Sequence, residues 1–452
     1  MKFRELFFNK IFTLRNLFFI GNFLALGLFV VVLAQDHFRE WKPYQAEYWS
    51  KEQDRIKQAM QSGNAESAEA LKAELAAAKS HSREIKQILA TDFSRVDRCT
   101  TCHQGYDSLL NPALSNEFKE HPYAAPKNEI HAKHPFEKYG CTVCHEGQGL
   151  ATTFKDVGHM PKDENQKAEW KKKYHWETVE FWEQPMKAGP LIYASCSKCH
   201  EAHPNVPGMD IVKKGKQVFF ENGCIGCHTL HGEGGPISTD LAEETASKPL
   251  AQVDFGPAIS AGLVDRKERT LENWIRLHFA TAPSVLVPGD PHGHYGDPIP
   301  PSGMPYFGFS QEEGEALVAY LTSLKIEKVP YTYRVFSPKP AEPVFASPGQ
   351  HGRYVFQKYG CVSCHGKNGD KPVANYNAVG GQVSNLVKVV GTYTREELAK
   401  KIQEGVPIVA KDDPHGPTPP LYMPTWKEKI KGKELENLVT YLFSIAEKQE
   451  SW

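Results

Sequence analysis

GKQVFFENGCIGCH (residues 215–228) and GRYVFQKYGCVSCH (residues 352–365) are two copies of one pattern in a chain of 452 residues. The agreement continues downstream in the same order. DPHG stands at 290–293 and 413–416, PPSGMP at 300–305 against PPLYMP at 419–424, and LVAYLTSL at 317–324 against LVTYLFSI at 438–445. Four matching blocks in one order mark an internal duplication. In the last block Leu317, Tyr320, Leu321 and Leu324, and equally Leu438, Tyr441, Leu442 and Ile445, fall on one helical face. SPKPAEPVFASP (337–348) separates the copies and has the proline content of a semi-rigid linker.

Both copies contain C-x-x-C-H, and the same five-residue motif occurs three more times. Its cysteines are Cys99 and Cys102, Cys141 and Cys144, Cys196 and Cys199, Cys224 and Cys227, and Cys361 and Cys364; His103, His145, His200, His228 and His365 follow them. These are all ten cysteines of the chain, so a disulfide framework and a lone catalytic thiol are both ruled out. A random chain of this composition would hold about 0.01 such motifs. Two thiols can add to the two vinyl groups of a haem while the adjacent imidazole takes the iron. A redox dithiol has no use for the following histidine, and a structural zinc site would merge two pairs around one metal. The spacing therefore predicts five covalently attached haem c groups, with the ten cysteines as thioether anchors and the five histidines as proximal ligands.

Each copy of the duplicated region resembles the class I cytochrome c family: an N-terminal helix runs into C-x-x-C-H, a Met-Pro follows on a loop, and an amphipathic helix closes the unit. The resemblance implies Met304 and Met423 as distal sulfur ligands. The first copy is longer between its haem motif and its Met-Pro, with an insertion over 228–271. The segment HPFEKYGCTVCHEGQGLATTF (134–154), with GHM (158–160), FWEQPM (181–186) and ASCSKCH (194–200), resembles a three-haem module of membrane-anchored respiratory cytochromes found near quinol-oxidising complexes. Relatives of that module carry a histidine where this chain has Phe181. Candidate distal ligands for the three N-terminal haems are His121, His134 and His159, followed by His131, His175 and His203. His292 and His415, in the repeated DPHG, are expected to shape a loop near the haem edge rather than to ligate.

Toward the N-terminus, LFFIGNFLALGLFVVVLA (17–34) carries no charge, and Lys2, Arg4, Lys10 and Arg15 precede it. It reads as a membrane-spanning helix with its N-terminus inside, a cleaved signal peptide being the alternative. The expected location is the cell inner membrane, single-pass, with the haem domains on the periplasmic side. Residues 41–90 are rich in strong helix formers interrupted at Ser62-Gly63-Asn64, which predicts two helices forming a hairpin or stalk. The 96–207 segment carries three motifs with too little chain for three cores, so stacked haems are expected to supply buried apolar surface.

The fold class expected is mainly α: residues 1–15 cytoplasmic, 16–35 transmembrane, a helical stalk over 36–95, a loop-rich multihaem module over 96–207, and two tandem class I cytochrome c helical domains (208–330 and 349–452) joined by a linker (331–348). The 53 Lys and Arg balance 54 Asp and Glu, which gives no reason to expect nucleic acid. The function expected is electron transfer from a quinol-oxidising membrane complex to a soluble cytochrome or oxidase acceptor. A multihaem enzyme of the peroxidase or nitrogen-oxide reductase type, a haem-c subunit of a terminal oxidase, and a haem sensor or scaffold are the alternatives. A catalyst would need an open iron site or an unusual proximal ligand, and all five motifs end in histidine.

Overall fold

The computed structural model describes residues 13–62, 65–106, 118, 121, 129–179, 182–187, 189–200, 206–280, 283–286, 289–294, 297–325, 327, 329–335 and 343–447. The chain is mainly helical and divides into two compact units, one of residues 1–141 and 149–157, the other of 142–148 and 158–452.

In the first unit, α1 (Leu14–His37) opens on Thr13, whose hydroxyl accepts the Asn16 N–H at 3.3 Å. No residue of α1 is buried, although Phe18, Phe23, Leu24 and Phe29 are all large and apolar. The helix is long and apolar enough to cross a membrane. Next, α2 (Trp41–Ser62) and α3 (Ala65–Ser80) form the hairpin read from the sequence. Arg55 ties them by donating to Glu52 at 2.8 Å on its own helix and to Glu74 at 2.6 Å on the other. One stripe of α2 is buried: Trp41, Gln45, Tyr48, Glu52 and Ile56. Fully buried Gln45 donates to the carbonyls of Glu84 and Thr101 (2.7 and 2.9 Å) and accepts the Glu84 N–H (3.1 Å). Thr101 lies between Cys99 and Cys102, so the hairpin packs onto the first C-x-x-C-H turn instead of standing clear of it. A short ladder, β1 (Ile88–Ala90) with β2 (Arg95–Asp97), ends on buried Asp97, whose carboxylate accepts the Cys141 N–H at 2.5 Å.

In the second unit, α4 (Glu164–Tyr174) is capped by Asp163, which accepts the Gln166 N–H. The two copies of the duplicated region then follow one plan. In the first, α5 (Asp210–Glu221), α6 (Leu271–Ala280) and α7 (Gln311–Ser323) surround a core containing Val218, Phe219, Ile275, Leu317 and Leu321. In the second, α8 (Pro348–Lys358), α9 (Arg395–Glu404) and α10 (Gly432–Ile445) surround Val355, Phe356, Leu398, Leu438 and Leu442. The glycine that opens each quoted block lets these helices cross. A Cβ on Gly215 would overlap the Ala316 carbonyl oxygen of α7, and a Cβ on Gly352 would overlap that of Asn437 on α10. Beside each crossing sits the same ring pair, Phe219 with Tyr320 and Phe356 with Tyr441, both at 5.5 Å between centroids. Capping boxes fix two starts: Ser310 with Glu313 on α7, and Thr394 with Glu397 on α9.

The repeated DPHG diverges between copies. In the first it lies in a strand, Asp290–His294, paired with Asp297–Ile299; in the second it forms a tight turn in which His415 N–H donates to Asp413 at 2.9 Å. Four more residues separate DPHG from the following Pro-Pro in the first copy, enough for a returning strand.

Substituting Gly352 or Gly215 with Ala forces a methyl into backbone that cannot turn aside, and should cost about 1–3 kcal/mol. Gly314, in the first turns of α7 with open space around it, is the control, and its substitution by Ala should hold or raise the thermal midpoint. Equal effects at Gly314 and Gly352 would contradict this account of the crossing.

Candidate haem sites

The physical basis of C-x-x-C-H is a single helical turn. Residues i, i+3 and i+4 share a helical face, so both thiols and the imidazole project to one side. The backbone closes this turn from the histidine N–H to the first cysteine carbonyl: 2.9 Å for His103 to Cys99, 2.8 Å for His200 to Cys196, 3.0 Å for His228 to Cys224 and 3.0 Å for His365 to Cys361. His145 ends the helix Thr142–His145.

In the second copy, Cys361, Cys364, His365 and Met423 line one cavity, whose remaining wall is largely apolar and includes Leu398, Ile402 and Trp426. His365 Nδ1 faces the Ser384 carbonyl at 2.8 Å. A carbonyl only accepts, so Nδ1 carries the proton and Nε2 keeps the lone pair a metal needs. Burial pushes the His365 imidazole below its ordinary pKa. Two thiols, an imidazole with Nε2 free to ligate and a thioether in one apolar cavity fit a haem c. Burial also pushes the Cys361 thiol up to about 12, while the hydrogen bond with the neighbouring Cys227 thiol lowers Cys364.

The first copy repeats the arrangement around His228, whose Nδ1 faces the Thr239 carbonyl at 3.0 Å and whose pKa burial lowers. Burial pushes the Cys224 thiol to about 12 as well. Met304 lines a different cavity, together with Tyr306, Asn375, Tyr376 and Pro420. The structure thus brings His365 together with Met423 and puts Met304 against residues of the second copy.

The two attachment turns abut. A Cβ on Gly360 would overlap the Gly226 nitrogen, and one on Gly226 would overlap the Gly360 oxygen. Cys227 Sγ lies 3.9 Å from Ser363 Oγ, which lies 3.8 Å from Cys364 Sγ. Lys429 Nζ donates to the Gly234 carbonyl at 2.6 Å beside this contact.

The second and third motifs are joined by buried charge. Lys198, between Cys196 and Cys199, donates to the Val143 carbonyl at 3.1 Å inside the second motif and pairs with Glu146. It also meets Glu327 at 3.3 Å, and Lys187 stands 3.9 Å from Glu146. Burial lowers the Lys187 pKa. Glu146 directly follows His145 and holds a left-handed backbone (φ 59°), a conformation costly for any residue but glycine.

Among the distal candidates, His134 donates Nδ1–H to the Ile130 carbonyl at 2.8 Å and packs on Tyr139. His121 lies 5.3 Å from the Phe136 ring. His159 accepts Trp176 Nε1–H on its carbonyl at 2.7 Å. His175 caps α4 with a left-handed backbone. His203 and Phe181 lie outside the described residues, as do residues 1–12 of the N-terminus and 336–342 of the linker, and the side chains of His131 and His292 are not described. Two further histidines are half-buried. His81 stacks on Trp49 at 4.0 Å with Nε2 buried and unbonded. His278 lies on α6 and packs on Trp274 at 4.8 Å between ring centroids.

Residues 212–325 and 350–446 match the cytochrome c family. Cytochrome c oxidase subunit 2 of Alkalihalophilus pseudofirmus is 33% identical over 123 residues, and that of Bacillus sp. (strain PS3) is 31% identical over 120 residues. Each match covers 26% of this chain and spans 28% of the relative's length. No solved structure matches the chain. The two matched segments are cytochrome c domains and imply haem c binding.

Replacing Lys198 with Met removes the nearer of the two lysines at buried Glu146, leaving Lys187 at 3.9 Å, and should cost about 3 kcal/mol. A thermal midpoint unchanged in Lys198→Met would contradict the reading of this charge cluster.

Proposed function

From these two cytochrome c domains we propose that the chain is a membrane-anchored electron carrier with five covalently held haems, taking electrons from a quinol-oxidising complex and delivering them to a periplasmic or oxidase acceptor. The observation that carries this reading is the contact between the attachment turns of the two domains, where Cys227 and Cys364 are bridged through Ser363. Residues holding redox groups for separate purposes have no need of such contact. A haem bound at each turn supplies a one-electron Fe(III)/Fe(II) couple.

The chain's own residues set the order. Met423 offers a thioether, which favours ferrous iron over what a second imidazole would give, and so holds the last site at high potential. Histidine ligands in the N-terminal module would hold its sites lower. Lys198 and Glu146 fix the second and third turns against one another. In this arrangement α1 serves as the anchor, and the donor is a partner, because one spanning helix does not build a quinol site.

A second reading is a haem-c subunit of a terminal oxidase, favoured by the likeness to the two proteins named cytochrome c oxidase subunit 2. Purification in detergent and identification of the bound subunits separates the two: quinol-oxidising subunits support the first reading, oxidase catalytic subunits the second. A redox titration of the full chain should resolve at least two separated groups of midpoint potentials. Five overlapping potentials would contradict the ordered carrier, and a native high-spin haem that binds cyanide would favour an enzyme.

A further inference from the structure

We propose that the Met-Pro loop of each cytochrome c domain is braced by the other domain, and that Lys429 and Tyr422 are positioning residues that hold the Met423 thioether through the first domain's attachment turn. The proposal rests on the reading of Cys361–His365 and Met423 as a haem site.

The brace is the stretch of chain that follows each C-x-x-C-H. In the first domain it spans 234–238. Ile237 and Ser238 donate their N–H groups to the Cys227 carbonyl at 3.1 and 2.8 Å, and Gly235 donates to the Ile225 carbonyl at 2.8 Å. Two glycines let the stretch lie on the turn: a Cβ on Gly234 would overlap the His228 carbonyl oxygen, and one on Gly235 that of Gly226. Where the turn stands, the brace stands. The second domain does the same with Val373, whose N–H donates to the Cys364 carbonyl at 2.9 Å.

Each brace reaches the opposite methionine loop. Ile237 of the first domain walls the cavity that holds Met423, and Val373 of the second walls the cavity that holds Met304. The loops also meet one another. A Cβ on Gly303 would run into the side chain of Leu421, whose backbone is fixed on both sides by buried Asn375 (N–H to Oδ1 at 3.1 Å, carbonyl from Nδ2 at 2.8 Å). Contacts exchanged in both directions are the pattern of a two-fold pair, here formed within one chain.

The brace is bolted on one side. Lys429 Nζ donates to the Gly234 carbonyl at 2.6 Å, and Tyr422, directly before Met423, points its hydroxyl at the Pro236 carbonyl at 3.4 Å. These two bonds cross the domain boundary on either side of Met423, whose own domain holds it by the Val406 N–H on its carbonyl at 2.7 Å. In the first domain the residue before the methionine is Gly303, which has no side chain to offer. A ligand carried on a loop keeps its geometry only as far as the contacts around it are held, so the Met423 thioether depends on both domains.

The test uses the full-length holoprotein in the ferric state. It follows on heating the thioether-to-iron charge-transfer absorption that Met423→Leu abolishes, beside the far-ultraviolet circular dichroism that reports the fold. Lys429→Met, alone and with Tyr422→Phe, should lose this absorption at a lower temperature than the wild type while the fold is still intact. Lys429→Arg should recover it, and Lys433→Met, an exposed lysine of the same domain, should behave as the wild type. Absorption that persists in both variants to the same temperature as in the wild type would overturn the proposal, as would equal loss in Lys433→Met. Should the double variant fail to fold, Tyr422→Phe alone, which removes only a hydroxyl, gives the same reading. Failure of the underlying reading looks different: Cys361→Ala/Cys364→Ala would then leave the number of bound haems unchanged.

Discussion

Everything in this chain follows from placing two thiols and an imidazole on one face of a single helical turn. The turn needs only five residues, which is why the chain can repeat it five times, and why three copies fit between residues 99 and 200. It also sets what the surroundings must supply: a carbonyl to hold the histidine tautomer, an apolar wall, and a sixth ligand. The carbonyls of Ser384 and Thr239 do the first of these in the two cytochrome c domains. Each belongs to a hydroxyl residue directly before an Asx helix cap and a leucine, Thr239-Asp240-Leu241 and Ser384-Asn385-Leu386, so the following helix start fixes where the carbonyl stands.

The helix crossings stand next in rank. Gly215 and Gly352 let α5 and α8 meet α7 and α10 at backbone distance, and each crossing is flanked by the same Phe–Tyr pair. Residues that look like mere helix content in the quoted blocks therefore determine how closely the helices over each attachment turn approach. The same economy appears between domains, where Gly226 and Gly360 leave room for the two attachment turns to touch. In the N-terminal unit the joining is polar instead, through Gln45 and Asp97, and between the second and third motifs it is ionic.

What the sequence revealed was local pattern with a fixed spacing: the C-x-x-C-H turns, the duplication, the apolar face of α7 and α10, and the exposed apolar helix α1. What it hid depends on residues distant in sequence. Which face of the hairpin over 41–80 is buried was not legible, because the stripe mixes Trp41, Tyr48 and Ile56 with Gln45 and Glu52, and polar residues weaken the apolar period. DPHG is the same four residues in both copies and takes two conformations, because the length of chain that follows decides whether a strand can return. Met304 and Met423 share a local pattern yet line different cavities.

Mass spectrometry of the intact chain, isolated with its covalent groups attached, then denatured and treated with a thiol-alkylating reagent, tests the central claim most directly. The account expects the mass of the polypeptide plus five haems, with none of the ten cysteines alkylated. A smaller number of haems, with one or more C-x-x-C pairs reacting as free thiols, would contradict it.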